Sequence, residues 1–474
     1  MLLTFYCAAI DRDGVADALR GHTQAPLHLR DEQVLGRDFG DARAAEQVRG
    51  TLRRAAIDLI VPADDIAPLV AAVTDARRGH ARTDLPPEPL VVEALDSHPA
   101  VTAAQARVRS AEAGAAMLRR GSHEFTFQGT VSRRSAEGEG DYGEYDVNLT
   151  RPFRLPGKAT LDRKAGELGV EVAHNLMEDV RHQTALAFSD LWHDWVVASA
   201  QHRTDLDSAA SLTQDMAAVR RRAQLRDASL LDVDQAEAAL AQAQAQAATS
   251  RAARDEARVK LAAGFPGLAL PEEAPLLADP AMPATALEDL RNLVIERSHE
   301  IRASEREAQR LAMVARRASA DRIADPSFGV RVFSERGGLE KGIGLVGSIP
   351  LGGGYRRAAH DQATADASAA ELELARVRRE IEATAAADLS NVRAREAVWR
   401  SMESAAASAA AAATRTKRGY ELGQIDLADT LLARRQANET RRQEIDARAT
   451  LLRAILRIQI DAHEVWTSQE GHED

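Results

Sequence analysis

The 474-residue sequence is poor in cysteine, in aromatic residues and in long apolar runs. Its single cysteine, Cys7, excludes a disulfide framework and a zinc site built from cysteines. No run of about 18 apolar residues occurs, so no transmembrane helix is predicted. Aromatic residues make up only 4% of the chain, and much of the 45% hydrophobic content is alanine. Because alanine favours helices but forms poor cores, we expect long helices and little globular core.

Positive charge is also in deficit, with 61 Lys and Arg against 72 Asp and Glu. The resulting net charge of −11 argues against a nucleic-acid-binding protein. The first ten residues, MLLTFYCAAI, are apolar, but they carry no Lys or Arg and no convincing cleavage site follows them. This pattern is not that of a secretory signal.

Residues 1–80 are predicted to form a small α/β unit. The apolar segment MLLTFYCA predicts a buried strand, and TLRRAAIDLIV predicts another. Helices are predicted over residues 12–20 and 64–78, and a weaker strand over HLRDEQVLG. The order strand, helix, strand, strand, helix is an incomplete split βαβ unit that lacks a final strand. A proline linker over residues 81–88 follows.

The rest of the sequence repeats itself. Two blocks, residues 89–265 and 287–467, each predict a helix, two short strands, a very long helix and a further helix. In the first block the leading helix is predicted over residues 91–120, and in the second over residues 287–320. A linker over residues 266–286 joins the blocks, and residues 468–474 form a tail.

Two landmarks establish the duplication. Pro152 and Pro350 follow the second strand of each block, at an offset of 198 positions. LRDASLLDVDQ, which begins at Leu225, is echoed by LGQIDLADTLL, which begins at Leu422, at an offset of 197 positions. Chance does not readily produce two landmarks with nearly equal offsets, so we infer a duplication of roughly 190 residues.

The longest helix of each block is expected to span roughly 65 residues, on the order of 100 Å at ~1.5 Å per residue. No compact domain needs a helix of that length. Its apolar stripe is thin and polar residues lie all round it, while alanine and serine permit close sideways packing. These features favour the wall of a hollow tube over a solid bundle.

Four short segments alternate apolar and polar residues, as strands with one face in lipid and one in water do. A soluble four-stranded sheet with one face on a core is the alternative. Four strands cannot close a useful barrel, and open edges in a bilayer would cost several kcal/mol for each unpaired group. The lipid-facing interpretation therefore requires closure by an oligomer. The predicted lipid-facing residues are Phe125, Phe127, Val131, Tyr145, Val147, Leu149, Phe328, Val330, Ile343 and Leu345.

Residues 88–467 resemble the outer-membrane efflux proteins, the TolC-like channels of bacterial tripartite pumps. The resemblance rests on the duplicated element order, on the strand-to-helix segments RPFRLPGK and IPLGGGYRR, and above all on KRGYELGQIDLADTLLARRQ. It implies a mainly α protein with a β-barrel contribution. Four transmembrane strands per chain would continue into a helical tunnel of duplicated antiparallel helix pairs.

The same resemblance implies partners and a location. It implies a homotrimer in outer-membrane lipid, with a periplasmic adaptor and an inner-membrane RND pump as partners, and without a cofactor, a metal or nucleic acid. The echoed segments would be the helix turns at the closed tip of the tunnel. The turn residues expected to contact the adaptor are Leu225, Arg226, Ser229, Leu422, Gly423 and Ile425.

In the resembled family, aspartates just after the second turn ring the pore and attract cations. The matching position here is Asp429, its counterpart in the first block is Asp232, and Asp234 and Asp426 lie near them. The family's further aspartate, one turn on, is Leu432 here, so we expect no second ring. Capping of the helix starts is the alternative role for these acids.

No catalytic constellation stands out in the sequence. LPGKAT resembles the end of a phosphate loop, but Pro152 occupies the position of the required first glycine. His174, His182 and His193 lie too far apart on one predicted helix to share a metal, so we interpret them as solvated or interface residues. We expect a protein that is not an enzyme.

Residues 1–80 weakly resemble a short ferredoxin-like family encoded beside heavy-metal efflux pumps. The resemblance rests on the strand–helix order and on AAEQVRGTLRRAAIDLIVPADDIAPLVAAV, and it suggests heavy-metal cations as the exported substrate. The missing strand and the missing signal both fall near residues 80–88, which suggests a gene fusion. The alternatives are a soluble long-helix scaffold or adaptor, and a non-exported fusion remnant with a regulatory N-terminal unit.

Overall fold

The structure, a computed structural model, describes most of the chain. The described residues are 2–8, 16, 19–20, 23, 25–35, 51–62, 66, 69 and 85–467. The predicted helices over residues 12–20 and 64–78 lie largely outside them. Within the described residues the chain forms a small N-terminal sheet and a long helical part that carries a second sheet.

The N-terminal sheet has three antiparallel strands. They are β1 (Leu2–Ala8), β2 (His28–Leu35) and β3 (Thr51–Ile60), and β3 lies between the other two. All three lie where the sequence predicts strands. Leu19, Ile57 and Leu59 are fully buried in its core, so this unit has a hydrophobic cluster of its own.

The remainder contains the predicted duplication. Its helices are α1 (Glu88–Asp96), α2 (Pro99–Arg120), α3 (Lys158–Gln224), α4 (Leu230–Gly264), α5 (Leu287–Arg297), α6 (His299–Asp321), α7 (Gly354–Glu421) and α8 (Leu427–Asp461). Its strands are β4 (Thr126–Ala136), β5 (Gly140–Pro152), β6 (Ser327–Glu335) and β7 (Glu340–Ser348). Each repeat thus has two short helices, a β-hairpin, a very long helix and a returning helix.

The single helix predicted in front of each hairpin is wrong, because each is two helices. Pro99 has no N–H to continue a helix, and the His98 side chain accepts a hydrogen bond from Ala100 N at 3.2 Å, which caps a new start. In the second repeat, Ser298 Oγ accepts a hydrogen bond from Ile301 N at 3.1 Å. Both breaks therefore follow from capping that the apolar pattern does not reveal.

The long helices α3 and α7 contain 67 and 68 residues, about 100 Å each at ~1.5 Å per residue. Near the second sheet the lateral order of helices is α2, α3, α6, α7, and near the helix turns it is α4, α3, α8, α7. The long helices therefore run through both halves and exchange their neighbours midway. The result is a layer one helix thick, as expected for a wall. No described helix has both the length and the apolar character needed to cross a membrane.

Small residues allow the helices of this layer to approach closely. A Cβ added to Gly166 of α3 would lie only 2.9 Å from the Cα of Ala115 in α2. Such a separation leaves no room for a larger side chain, because real Cβ atoms do not approach another carbon so closely. Glycine and alanine thus set the spacing of α2 and α3.

Larger apolar residues collect where the long helices exchange neighbours. In the first repeat Phe188, Trp192 and Trp195 are buried against α1, the end of α4 and Trp466. In the second repeat an equivalent cluster joins α5, α7 and α8 around Trp399. These clusters hold the middle of the wall together.

The linker between the repeats belongs to the first of these clusters. Leu268 and Ala274 are buried in it, and Arg203 of α3 donates a hydrogen bond to Ala274 O at 3.2 Å. The segment predicted only as a linker over residues 266–286 therefore packs along α3.

The second sheet has the order β4, β5, β6, β7, and all neighbours are antiparallel. The pairing of β5 with β6 joins the first repeat to the second. Among the described strands, β4 and β7 each pair on one side only, so both edges of the sheet are open.

Candidate functional site

One face of the second sheet carries rows of apolar side chains. Phe127 lies opposite Leu149, Leu149 opposite Val330, and Val330 opposite Leu345, so one row crosses all four strands. The next row contains Gly129, Val147, Val332 and Ile343. All ten residues predicted to face lipid lie on this side or, in the case of Phe125, directly before β4. The predicted alternation is therefore real in the fold.

These apolar side chains are exposed in the single chain. Phe127 is 70% exposed, Leu345 is 92% exposed, and only Val147 of the ten is half-buried by its neighbours. The band from Phe125 to Val131 spans six residue steps, about 20 Å at ~3.3 Å per residue. That is close to the apolar band of about 25 Å on barrels in a bilayer.

The opposite face of the sheet is polar. Arg331 of β6 forms an ion pair with Asp146 of β5, and Arg134 of β4 pairs with Glu144 of β5 at 2.9 Å. Asn148 donates a hydrogen bond to Asp146 at 2.8 Å. A sheet with one charged face and one exposed apolar face lacks the core that a soluble sheet would need.

The two helix turns lie at the far end of α3 and α7, and they share one geometry. In the first turn Asp227 N donates to Arg222 O at 2.9 Å, and in the second Gln424 N donates to Gly419 O at 2.9 Å. Between these groups, Arg226 and Gly423 both adopt a left-handed conformation, with φ of 62° and 72°. The first turn therefore forces an arginine into a conformation that glycine adopts without cost.

The candidate acids differ in how the caps use them. Asp232 Oδ2 accepts hydrogen bonds from the backbone N of Ser229 at 2.8 Å and from its hydroxyl, which completes a capping box. Asp426 is the cap of α8 and accepts from Asp429 N at 2.9 Å. The carboxylates of Asp429 and Asp234 are exposed and accept no hydrogen bond from the described residues. Asp232 and Asp426 thus serve the caps, whereas Asp429 is available to a cation.

The remaining turn residues are mostly on the surface. Leu225, Arg226, Ser229, Leu422 and Gly423 are exposed, and Ile425 is half-buried. Behind them Met216, Val219, Ala236 and Leu427 form a small buried cluster. The Arg222 guanidinium lies 5.0 Å from the centre of the Tyr420 ring, so the two turns are in contact.

Polar contacts also join α3 to α8 along their shared length. Asp205, which is 1% exposed, pairs with Arg442 and accepts a hydrogen bond from Asn438 at 3.2 Å. Asp215 pairs with Arg434 nearer the turns, and Asp194 with Arg453 at 2.7 Å nearer the middle. Sequence reasoning missed this ladder, because its partners lie more than 200 positions apart.

A second polar cluster lies where the helices exchange neighbours. His182 of α3 is 2.9 Å from Asp461 of α8, and Asp461 shares Arg457 with the buried Asp388 of α7. The ring of His463 lies 5.2 Å from that of His182. Of the three histidines predicted to be solvated or interface residues, His182 thus lies at an interface between helices. Within the described part of the chain, no group of three or more His, Cys, Asp or Glu side chains is arranged to hold a metal ion.

The pKa values in this cluster move in opposite directions. Burial, together with the hydrogen bond and charge of Asp461, raises the pKa of Asp388 to about 7. Burial lowers the pKa of His299 to about 4, assisted by His463, and burial likewise lowers the pKa of His463 to about 4. Burial opposes protonation of His182, but its hydrogen bond to Asp461 and the negative charges of Asp461, Glu300 and Asp179 together raise its pKa. The cluster therefore favours a protonated carboxyl beside two neutral imidazoles.

We predict that Arg226→Gly stabilises the protein by about 0.5–1 kcal/mol, because glycine adopts the left-handed conformation without the Cβ penalty. The matched change Gly423→Ala should destabilise by a similar amount. Thermal unfolding followed by circular dichroism would measure both. A fall in the unfolding temperature of Arg226→Gly would show that the arginine side chain itself stabilises the turn.

We predict that Asp388→Asn raises the unfolding temperature at pH 8 by several degrees and leaves it nearly unchanged at pH 4. A carboxyl with a raised pKa binds a proton in the folded state that the unfolded chain releases, so its contribution to stability falls as the pH rises from 3.8 to about 7. The two histidines with lowered pKa values oppose this, since they cost stability as the pH falls from 6.5 to about 4.

The measurement is a series of thermal melts between pH 4 and pH 8. The groups that act on Asp388 are Asp461 and Arg457. Those that act on the adjoining histidines His182, His299 and His463 are each other, Asp461, Asp179, Glu300, Arg297 and Arg302. Asp207→Asn, a change at an exposed acid on α3, is the matched control and should follow the parent protein at every pH. Equal melting of Asp388→Asn and the parent at pH 8 would contradict the prediction.

The N-terminal sheet and the long helical part resemble different known proteins. Residues 1–82 match a family described as "Protein of unknown function (DUF3240)". That description states no fold or role, so the ferredoxin-like resemblance stays a prediction. No match to a curated protein was found.

Solved structures similar to the long helical part are outer-membrane channels. VceC, an outer membrane protein of Vibrio cholerae, is 17% identical with a TM-score of 0.65, and the match covers 79% of this chain and 95% of that one. The outer-membrane channel OprN is 20% identical with a TM-score of 0.67, covering 80% and 90%. CusC is 15% identical with a TM-score of 0.62, covering 79% and 91%. The predicted resemblance is thereby confirmed for the fold: about four fifths of this chain shares the fold of these outer-membrane channels.

Proposed function

We propose that this protein is the outer-membrane channel component of a tripartite efflux pump and that it works as a homotrimer. The observation that carries the proposal is the second sheet, which ends a helical wall of about 100 Å with an exposed apolar face and two open edges. The shared fold with outer-membrane channels supports the same function.

The open edges support closure by further copies. In a bilayer each unpaired backbone group would cost several kcal/mol, and a closed barrel removes that cost. Three copies would supply 12 strands from four strands each, and a barrel of that size leaves an open lumen. The polar face, with its Arg331–Asp146 pair, would then line the channel, and the apolar rows would meet lipid.

The helix turns support contact with partners at the other end. Leu225 and Leu422 are 69% and 58% exposed, so each turn presents a large apolar side chain on the surface. We assign these turns to the tip that meets a periplasmic adaptor, which in turn joins an inner-membrane RND pump. The resemblance of the second turn to the family's periplasmic turn supports the assignment.

The acids at the tip support a preference for cations. Three copies would bring three Asp429 carboxylates around one axis, and none of them is used by the cap of its own helix. Together with the N-terminal resemblance, this supports heavy-metal cations as the exported substrate.

The test of the proposal is fractionation of bacterial membranes that contain the full chain with a C-terminal epitope tag. We expect an outer-membrane band near 51.2 kDa after heating and a trimer band in mild detergent. Leu345→Arg places a charge on the apolar face and should reduce the membrane-bound trimer several-fold, because a charge facing lipid costs about 2–4 kcal/mol.

Val346→Arg is the matched control, because it lies next along β7 on the opposite face and should leave the trimer intact. A protein found only in the soluble fraction would overturn the channel and leave the long-helix scaffold. Equal loss with both variants would show that the two faces do not differ as proposed.

We predict that Asp429→Asn raises conductance for anions relative to cations, or weakens block by divalent cations, in planar bilayers. The reason is that neutral amides would replace three carboxylates at the narrow end of the channel. Asp207→Asn, an exposed acid on α3 away from the turns, is the control and should leave both quantities unchanged. Unchanged selectivity in Asp429→Asn would leave its position at the helix start as its only role.

A further inference from the structure

The two repeats meet within one chain, and the same geometry predicts how one copy meets the next. We infer that β7 and the start of α7 pack against β4 and the end of α2 of a second copy as β5 and α3 pack against β6 and α6 within the chain, and that Arg356 pairs with Glu124 of that neighbour. The inference rests on the proposed homotrimer and adds its register and its ion pair.

The offsets between the repeats fix the register. Thr126 lies opposite Thr150 in the first hairpin, and Ser327 lies opposite Ser348 in the second. The first strands are thus offset by 201 positions and the second strands by 198, which is also the offset of Pro152 and Pro350. Applying both offsets converts any pair between β5 and β6 into a pair between β7 and β4 of the next copy.

The converted pairs place apolar residues opposite apolar residues. Val147 lies opposite Val332 within the chain, and the conversion puts Leu345 opposite Val131 of the neighbour. Both are strongly exposed and both lie on the apolar face, so the rows would continue across the boundary between copies. A register shifted by one position would place one of them opposite a residue of the polar face.

A second, independent correspondence between the repeats lies at the start of the long helices, beside the paired strands. Lys158 is 1% exposed, and its ammonium lies 2.8 Å from each of three acceptors, Asp321 Oδ1, Asp325 Oδ1 and Ile323 O. All three belong to the α6–β6 junction of the other repeat. This buried ion cluster therefore fastens the first repeat to the second.

The equivalent of Lys158 in the second repeat has no such partners among the described residues. It is Arg356, whose Nε is buried without a hydrogen-bond partner and whose other end donates back to Gly352 O. The equivalent of Asp325 is Glu124, which is exposed and pairs with no side chain among the described residues. The two are the halves of a site that only a neighbouring copy can complete.

The completed site would have fewer carboxylates and more positive charge than its counterpart. Arg120 occupies the position equivalent to Asp321, so the single carboxylate of Glu124 would face the guanidinium groups of both Arg356 and Arg120. An arginine suits that arrangement better than a lysine, because its planar fork can bind both oxygens of a single carboxylate. We therefore expect a weaker fastening between copies than between the repeats of one chain.

The register is tested by oxidative cross-linking of the full chain in membranes, in a Cys7→Ser background. Leu345→Cys with Val131→Cys should form covalent dimers and trimers on copper–phenanthroline oxidation. Val147→Cys with Val332→Cys is the matched control and should close within one chain, which leaves a monomer band. Leu345→Cys with Ser132→Cys faces opposite sides of the sheet and should form at least tenfold less cross-linked product.

The ion pair is tested by charge reversal. Glu124→Lys and Arg356→Glu should each lower the temperature at which the trimer dissociates in mild detergent by several degrees, and the double variant should recover most of that loss. Failure of the double variant to recover would overturn the pairing.

The outcomes distinguish this inference from the proposed function. If an amine-reactive cross-linker captures a trimer but the Leu345–Val131 cysteine pair stays uncoupled while the control pair closes, the inferred register is wrong and the channel stands. If neither reagent captures an oligomer from membranes, the homotrimer itself is wrong, and the register falls with it.

Discussion

Lateral packing of two helices about 100 Å long is the constraint on which the rest of the structure depends. Helices with polar residues all round cannot be held by a central apolar core, so each point along them needs a neighbour at the side. Close glycine and alanine contacts supply it near the sheet, as at Gly166. Buried aspartate–arginine pairs supply it near the turns, as at Asp205. The largest apolar side chains collect at the middle, where the neighbours change, and a smaller cluster around Met216 and Leu427 lies behind the turns.

The duplication provides these lateral neighbours by using one set of elements twice. Each repeat supplies one long helix and the short helices that flank it, and the boundary between repeats is held by pairing of β5 with β6 and by the buried Lys158 cluster. Because the wall is built from equivalent pieces, its two open edges carry the counterparts of the elements that meet between the repeats. One chain therefore already carries, at its edges, the elements with which a further copy would extend the wall.

Much of this fold is readable from the sequence because it rests on periodicity. Alternation at Phe127, Leu149 and Val330 places the strands and their apolar face, and the matching prolines locate the ends of the hairpins. The helix breaks at His98 and Ser298 escape that reading, because a cap depends on one side chain bonding to a nearby N–H and leaves the apolar pattern unchanged.

The candidate site was predictable in part for a similar reason. The position of Asp429 follows from the echoed turns, but its difference from Asp232 depends on which carboxylate completes a capping box. The pairing of Asp205 with Arg442 joins residues far apart in sequence, and no local pattern reveals it. The same holds for Asp388 and Asp461, whose shared environment exists only once α7 and α8 have packed.

The exchange of neighbours halfway along α7 has a mechanical consequence. From Asp388 to Gly423 the chain rises about 50 Å at ~1.5 Å per residue. Over this half of α7 its neighbour in the wall is α8. A tilt of about 5° about the midpoint would carry the turn through roughly 4 Å, by the geometry of a rigid rod of that length. The buried Asp388–Asp461 pair thus lies at the point about which α7 would tilt. A small change in packing there would produce a much larger displacement of the turn.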